Sequence, residues 1–311
     1  MSLGEFQKQI QEMEKKIKEI HLFSQQQGVD LSEELKRMEE KLQNLRKQAY
    51  YNLTPWEKIT IARKMERPTA LDYIQYIFTD FMELHGDRYF GDDPAIIGGI
   101  TWLEKIPVTV IGQQKGRNTK ENIYQNFGMP HPEGYRKALR LMKQAEKFRR
   151  PIICFIDTPG AFCGIGAEER GQGEAIARNL LEMSMLKTPI VSLVIGEGGS
   201  GGALALGVAD QIWMLEHSVY SILSPEGYAS ILWKDSNRAE EAAEKMKLTA
   251  QDLKSFGIID GILAEPLGGA HEEPKEMAQT IKKTLLEIIP KMKNNSMEEL
   301  LRKRYEKFRK M

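Results

Sequence analysis

The sequence predicts an α/β protein with a parallel sheet, preceded by a helical hairpin. Beyond Pro68, short apolar runs rich in β-branched residues alternate with helical stretches, which is typical of parallel strands covered on both faces. Two of these runs each lead into a glycine-rich loop and then a helix. The first fifty residues instead carry apolar side chains at heptad spacing, which is typical of packed helices.

The N-terminal segment, residues 1–50, predicts two helices with one narrow apolar stripe each. Within both stripes the spacing alternates between four and three residues. The stripes consist of Phe6, Ile10, Met13, Ile17 and Ile20, and of Leu31, Leu35, Met38, Leu42 and Leu45. A polar turn containing Gly28 separates them. Because each stripe is short, we expect the hairpin to pack on its own domain or on a partner subunit rather than to form a free coiled coil.

Four apolar runs are candidate buried strands. They are residues 107–111, 152–156, 190–195 and 211–215. The second and third both precede a glycine-rich loop, so the chain repeats a strand, loop and helix unit. In parallel α/β sheets such loops meet at one edge, where ligands bind. We therefore expect the two loops to lie side by side.

The C-terminal segment is basic, and we expect a solvated helix there, with binding to an acidic partner as the alternative. Its cations are Arg302, Lys303, Arg304, Lys307, Arg309 and Lys310. The predicted organisation is therefore a hairpin at 1–50, an α/β domain at 51–290 and a basic helical tail at 291–311.

The composition excludes several classes of protein. The chain has 311 residues, with 44 Lys plus Arg and 44 Asp plus Glu, so it has no general electrostatic attraction for nucleic acid or anionic lipid. Two cysteines, Cys154 and Cys163, are too few for a disulfide scaffold or a four-cysteine zinc site, and we expect no metal site in this chain. We expect neither a signal peptide nor a membrane span, and hence a cytoplasmic protein.

The downstream loop, residues 196–202, follows one candidate strand and opens a helix. Glycine lets the backbone approach a ligand closely, and the first amides of a helix have no partner within it. Such a loop is suited to bind an anion or to stabilise an oxyanion. Tight packing of the helix on the strand, without a ligand, is the alternative.

A serine hydrolase is one interpretation of this loop. Residues 198–202 match the G-x-S-x-G nucleophile elbow, with Ser200 as the nucleophile. Asp260 and His271 follow in the order that a catalytic triad of that class requires. The residues alone leave this interpretation open.

Nucleotide binding is a second interpretation. Residues 196–201 match the dinucleotide fingerprint G-x-G-x-x-G, for which Glu216 is the available acidic residue, and this match also stays open. Residues 157–160 match the D-x-x-G switch of GTPases. The chain contains no Gly-Lys pair, so it lacks the phosphate-binding loop that GTPases need, and that interpretation fails.

The upstream loop, residues 157–166, is expected to present further free amides beside the first loop. Lys115 and Arg117 follow the strand at 107–111 and are candidate contacts for phosphates. Cys163 lies in the loop, but no histidine lies near it in the sequence. We therefore interpret Cys163 as a spectator thiol.

Several long motifs in fixed order closely resemble the α-chain family of bacterial acetyl-CoA carboxylase carboxyltransferases, and the similarity runs over nearly the whole chain. The motifs are GQQKGR at 112–117, NFGMP at 126–130, PEGYRKA at 132–138, GAEERGQ at 166–172, GEGGSGG at 196–202 and PLGGAH at 266–271. The resemblance implies a crotonase-like fold, a spiral of ββα units. It also implies that the chain is an enzyme subunit.

The resemblance further implies an α2β2 carboxyltransferase whose β chain carries a zinc ribbon. Its reaction moves a carboxyl group from carboxybiotin, on the biotin carboxyl carrier protein, to acetyl-CoA and gives malonyl-CoA for fatty-acid synthesis. Biotin carboxylase completes the ATP-dependent complex. Biotin is thus the implied cofactor, and it is carried by a partner protein.

By the same resemblance, the amides of Gly201 and Gly202 stabilise the biotin enolate, and these two residues are the catalytic candidates. Further candidate binding residues are Gly160, Ala161, Gly164, Gly166, Gly198, Gly199, Lys115 and Arg117. One departure from the family is visible, since Phe162-Cys163 stands where the family often has Tyr-Pro. The missing proline removes a fixed φ angle and raises the question of what holds the upstream loop in place.

Overall fold

The computed structural model describes residues 3–311, which form two compact units, one ending at Glu57 and one beginning at Lys58. The helices are α1 (Leu3–Gln27), α2 (Ser32–Tyr51), α3 (Pro55–Ala62), α4 (Ala70–Ile77), α5 (Thr119–Tyr124), α6 (Pro132–Lys147), α7 (Ile165–Glu169), α8 (Gln172–Met185), α9 (Ser200–Leu204), α10 (Pro225–Trp233), α11 (Ala239–Met246), α12 (Ala250–Ser255), α13 (Pro274–Lys293) and α14 (Met297–Lys310). None of the helices in this part of the chain is both long enough and apolar enough to cross a membrane.

The first unit is the expected helical hairpin. α1 and α2 pack against each other, with Ile10 buried and the remaining residues of both apolar stripes half-buried. An ion pair between Arg46 and Glu14, at 2.5 Å, joins the two helices. Two short stripes therefore meet each other, as heptad spacing predicts.

The second unit contains one eight-stranded sheet. Its strands are β1 (Thr79–Glu83), β2 (Ile96–Leu103), β3 (Ile106–Gln113), β4 (Ile152–Thr158), β5 (Ile190–Gly199), β6 (Gln211–Leu215), β7 (Val219–Ser221) and β8 (Gly261–Leu263). The order is β1-β2-β3-β4-β5-β6-β8, with β7 pairing the end of β5. β3 to β6 and β8 run parallel, whereas β1 and β2 pair antiparallel at one edge.

Both faces of the sheet are covered, which explains why the central strands are continuously apolar. On β4, Ile153 and Phe155 belong to one core with α4 and α13. Cys154 and Ile156 belong to a second core with α6 and α8 on the opposite face. All four candidate strands are confirmed as β3, β4, β5 and β6. Sequence analysis did not find β7 and β8, since strands of three residues are too short to show a pattern.

The C-terminal helix α14 differs from the expected solvated tail. Arg304 is only 1% exposed, pairs with Asp210 at 2.7 Å and donates to the backbone carbonyls of Met183, Leu186 and Thr188. The expectation is therefore wrong for the face of α14 that carries Arg304. Since α13 also runs through the expected boundary at 290/291, the structure gives no separate tail there.

Candidate functional site

The two glycine loops lie at the same edge of the sheet. They follow β4 and β5, which are adjacent and parallel, with Thr158 opposite Gly198 in the register. Gly198 pairs on its other side with Tyr220 of β7. The expectation that the loops converge is confirmed, because the carboxyl ends of parallel neighbours share one edge.

The downstream loop approaches the upstream backbone so closely that two of its glycines have no room for a side chain. A Cβ atom on Gly202 would lie 2.5 Å from the Ala161 nitrogen and 2.6 Å from the Gly160 carbonyl carbon. A Cβ on Gly199 would overlap the Pro159 carbonyl. Gly201 differs, because a Cβ there would meet only Ile176, at an ordinary 3.6 Å.

Gly201 and Gly202 lie in the first turn of α9. Among the described residues, neither of their backbone N–H groups donates a hydrogen bond. The peptide that carries the Gly202 N–H is oriented by its own carbonyl, since Gly201 O accepts from Ala205 N at 2.9 Å. N–H and C=O point in opposite directions across a trans peptide, so this N–H points out of the helix start. Gln113 holds the next peptide by donating to Gly202 O at 2.7 Å. The loop therefore offers two donors without acceptors, and the Gly202 donor is held in orientation by the bond from Ala205 N to Gly201 O.

Side-chain hydrogen bonds hold the upstream loop. Thr158 Oγ1 accepts from Gly160 N at 3.0 Å and donates to Gly160 O at 2.7 Å. The Gln172 side chain donates to the carbonyls of Pro130 and Phe162 at 2.9 and 2.8 Å. The Phe162 ring also stacks on His131, with centroids 4.0 Å apart. These contacts replace the restraint that a proline at position 163 would give. Cys163 itself is exposed.

The upstream loop ends at α7. Gly164 is the residue before α7, and Gly166 lies inside it, where a Cβ would come within 3.1 Å of the Arg170 guanidinium. Arg170 forms an ion pair with Glu133 of α6. Gly164 therefore makes room for the Phe162 ring, and Gly166 makes room for Arg170.

Lys115 and Arg117 are already paired with carboxylates. The Lys115 ammonium lies 2.7 Å from Asp157 and 2.9 Å from Glu197. Burial by itself would lower the pKa of Lys115, but the two carboxylates outweigh it and raise that pKa. Arg117 pairs with Asp72 on the surface. The structure thus corrects the interpretation of Lys115 as a free phosphate contact, because its charge is neutralised inside the protein.

The sequence analysis missed the role of the two carboxylates at the starts of the glycine loops, Asp157 and Glu197. Glu197 binds both Lys115 and Arg63, the latter at 2.7 Å, and Arg63 continues to Glu226 at 2.6 Å. Burial would raise the pKa of Glu197, but Lys115 and Arg63 outweigh it and lower that pKa. A signal was present, since Asp157 and Glu197 are charged residues at the ends of otherwise apolar strands.

A second buried ion pair anchors β5. Arg67 binds Glu265 at 2.8 and 2.9 Å and donates to the carbonyl of Ile195 at 2.8 Å. Burial would raise the pKa of Glu265, but Arg67 outweighs it and lowers that pKa to about 2. The pair therefore favours the ionised carboxylate in the folded state.

This shift predicts acid sensitivity. The unfolded chain takes up the proton first, so stability is present above the ordinary pKa of 4.5 and is lost as pH falls towards 2. We expect Glu265 to account for about 3 kcal/mol of the unfolding free energy lost in that window. Urea titrations of wild type and Glu265→Gln at several pH values measure it. Parallel pH profiles for the two proteins would contradict the assignment.

The described residues do not form the catalytic triad that a serine hydrolase would need at Ser200. Ser200 is exposed, with φ of 56°, and none of the described histidines is bonded to it. The His271 Nε2 atom is instead 3.0 Å from Lys64, and burial together with Lys64 lowers the pKa of His271 to about 4. Asp260 accepts from the backbone of Ile212 and pairs with Lys307. Glu216, the acidic residue of the dinucleotide interpretation, accepts from the Glu265 backbone at 3.1 Å.

Comparison with known proteins identifies the family. Residues 3–311 match the family model described as acetyl co-enzyme A carboxylase carboxyltransferase-like. A protein of Alkaliphilus oremlandii named acetyl-coenzyme A carboxylase carboxyl transferase subunit alpha is 60% identical over 305 residues, covering 98% of this chain and 96% of its own. A Clostridium perfringens protein of the same name is 70% identical over 254 residues, covering 82% of this chain and 94% of its own. These matches do not support the hydrolase alternative.

Solved structures share the fold at low identity. A Pseudomonas malonate decarboxylase hetero-tetramer in complex with coenzyme A has a TM-score of 0.62 at 16% identity, covering 76% of this chain and 92% of that one. Transcarboxylase 12S has a TM-score of 0.59 at 17% identity, covering 74% of this chain and 42% of that one. The fold is thus that of the crotonase-like carboxyltransferases, as the sequence motifs implied. With the family match over residues 3–311, this chain belongs to the acetyl-co-enzyme A carboxylase carboxyltransferase family.

Proposed function

We propose that this chain is the α subunit of a carboxyltransferase that moves a carboxyl group from carboxybiotin to acetyl-CoA and yields malonyl-CoA, the first committed step of fatty-acid synthesis. The observation that carries the proposal is the pair of unpaired amides at Gly201 and Gly202, of which Gly202 lies at the contact between the two loops. Relatives named as this subunit support the choice of substrates.

The loop contact fits the carboxyl donor. Carboxybiotin, when bound, would supply an activated carboxyl group, and the loss of that group would leave negative charge at the ureido oxygen. The N–H groups of Gly201 and Gly202 would hold that oxygen, because preorganised donors are most effective where charge develops away from water. The missing side chain at Gly202 keeps the amides close to the Gly160–Ala161 peptide. Gln113 and the upstream loop keep this arrangement rigid.

We also propose the partners of this subunit. A β subunit with a zinc ribbon supplies the second half of the site in an α2β2 assembly, and the biotin carboxyl carrier protein delivers the substrate from biotin carboxylase in the cytoplasm. Two findings support a partner chain, namely the word alpha in the relatives' names and the hetero-tetrameric state of the malonate decarboxylase with the same fold.

Reconstitution tests the proposed function. This chain is co-purified with the β subunit of the same organism, and decarboxylation of malonyl-CoA is measured with free biotin. We expect activity from the pair and none from either chain alone, since each supplies part of the site. A correctly assembled pair without activity would contradict the proposed function.

Replacing Ser200 separates carboxyl transfer from hydrolysis. We expect Ser200→Ala to keep the activity of the reconstituted pair within about threefold, since the alanine retains the backbone amides that act as donors. A fluorophosphonate probe should leave Ser200 unlabelled. Loss of activity in this variant together with stoichiometric labelling of the wild type would restore the hydrolase interpretation.

A further inference from the structure

A buried tyrosine beside the glycine loops has no role in the arrangement described so far. Tyr135, on α6, is 0% exposed, and its hydroxyl has no hydrogen-bond partner among the described residues. A buried tyrosine hydroxyl normally finds a partner, and leaving one unpaired costs about 1–3 kcal/mol. Burial raises the pKa of Tyr135, so the group is a neutral donor. Phenylalanine would fill the same space at a lower cost in stability.

The hydroxyl lies against the contact between the loops. The position that a Cβ on Gly202 would occupy is 3.0 Å from the Tyr135 oxygen and 2.5 Å from the Ala161 nitrogen. Tyr135 packs with Ala175 of α8, and Ala161 packs on the same small cluster. The unpaired hydroxyl of Tyr135 therefore lies beside the close contact between Gly202 and Ala161.

Helix α8 places two spare acceptors on the face that packs on this tyrosine. Gln172 and Asn179 lie three residues before and four residues after Ala175, which puts all three on one face. Both side chains are buried, and each has an oxygen without a partner among the described residues. Their nitrogens hold the upstream loop and the end of α9, because Gln172 donates to Phe162 O at 2.8 Å and Asn179 donates to Ala205 O at 3.3 Å.

We propose that Tyr135 is a positioning residue for carboxyl transfer, an inference that rests on the proposed function. Its hydroxyl closes onto the free oxygen of Gln172 or Asn179 when the loops adjust around the reacting ligand, and it thereby holds Gly202 against Ala161. The hydroxyl is unpaired in the resting protein and bonded in the reacting one. An interaction made only in the reacting state raises kcat rather than substrate affinity.

The test compares two tyrosines. Tyr135→Phe removes only the hydroxyl, and Tyr73→Phe is the matched control, because Tyr73 is also 0% exposed with an unpartnered hydroxyl but packs on Phe155 in the other core. In the reconstituted pair, we expect Tyr135→Phe to lower kcat about tenfold with KM nearly unchanged, the scale of one hydrogen bond. Its Tm should stay the same or rise. Tyr73→Phe should keep kcat.

Three results would overturn the inference. If Tyr135→Phe has the kcat of the wild type, the hydroxyl of Tyr135 has no positioning role. A lower Tm in that variant, or an equal loss of kcat in Tyr73→Phe, indicates ordinary core packing. Gly202→Ala distinguishes this inference from the proposed function: if Gly202→Ala abolishes activity while Tyr135→Phe retains it, only the role of Tyr135 fails. If Gly202→Ala keeps the full rate, the part assigned to the close contact at Gly202 fails as well, whereas the proposed function itself fails if the assembled wild-type pair is inactive.

Discussion

Replacing Gly202 with alanine is expected to lower kcat of the reconstituted carboxyltransferase by about 10²–10³, the scale for losing one oxyanion donor. The added Cβ would lie 2.5 Å from the Ala161 nitrogen and 2.6 Å from the Gly160 carbonyl carbon, so one backbone must move. Backbone atoms cannot rotate away as the end of a flexible side chain can. The displaced amide then no longer faces the developing charge. Steady-state decarboxylation of malonyl-CoA with free biotin measures the loss.

Gly201 provides the matched control for this substitution. A Cβ on Gly201 meets only Ile176, at 3.6 and 3.9 Å, so Gly201→Ala fits without moving the loops. Because the alanine keeps its own N–H, we expect its kcat to stay within about fivefold of wild type, a loss smaller than that of one donor. Thermal unfolding of both variants checks that they fold. Equal activity in the two variants would show that the close contact at Gly202 plays no part in catalysis.

Replacing Arg304 with alanine is expected to lower the free energy of unfolding by about 3–5 kcal/mol, the cost of breaking a buried ion pair. The substitution leaves the Asp210 carboxylate, 7% exposed, without the guanidinium that binds both of its oxygens. It also removes the donor to the carbonyls of Met183, Leu186 and Thr188, which are buried beside it. Urea unfolding of the purified full chain measures the difference.

Arg302, two residues earlier on the same helix, is the control for this prediction. Its side chain is 59% exposed, and it pairs with Glu306 at the surface. Exposed pairs of this kind contribute little, so Arg302→Ala should change the unfolding free energy by less than about 0.5 kcal/mol. A similar effect in both variants would mean that the net charge of α14, and not the buried contact, stabilises its attachment.

Hydrophobic pattern predicted the central part of the sheet well. The runs that became β3 to β6 are continuously apolar because both of their faces are buried, and this property is visible residue by residue. The antiparallel strands β1 and β2 were not predicted. β2 carries Gly98 and Gly99, where Gly99 makes room for the backbone of Met82, and glycine is not typical of strands.

The candidate site was predicted in part. Glycine-rich loops after parallel strands predicted where the loops meet, whereas the roles of Gly201 and Gly202 come from the family resemblance and stay a prediction. The pairing of Lys115 with Asp157 and Glu197 was not predictable, because these three residues lie at the ends of three different strands. The orphan hydroxyl of Tyr135 was hidden for the same reason, since its neighbours on α8 and α9 are distant in the sequence.

The sequence by itself determined the fold class, the hairpin, the two glycine loops and, through its motifs, the carboxyltransferase family, because periodicity and local motifs are properties of neighbouring residues. Only the tertiary structure decided which glycine cannot change, which cations are neutralised and which face of α14 is buried. Arg304 and Arg302 look alike in the sequence, yet one is buried on Asp210 and the other lies in solvent. That difference depends on contacts between residues far apart in the chain, and no local pattern records them.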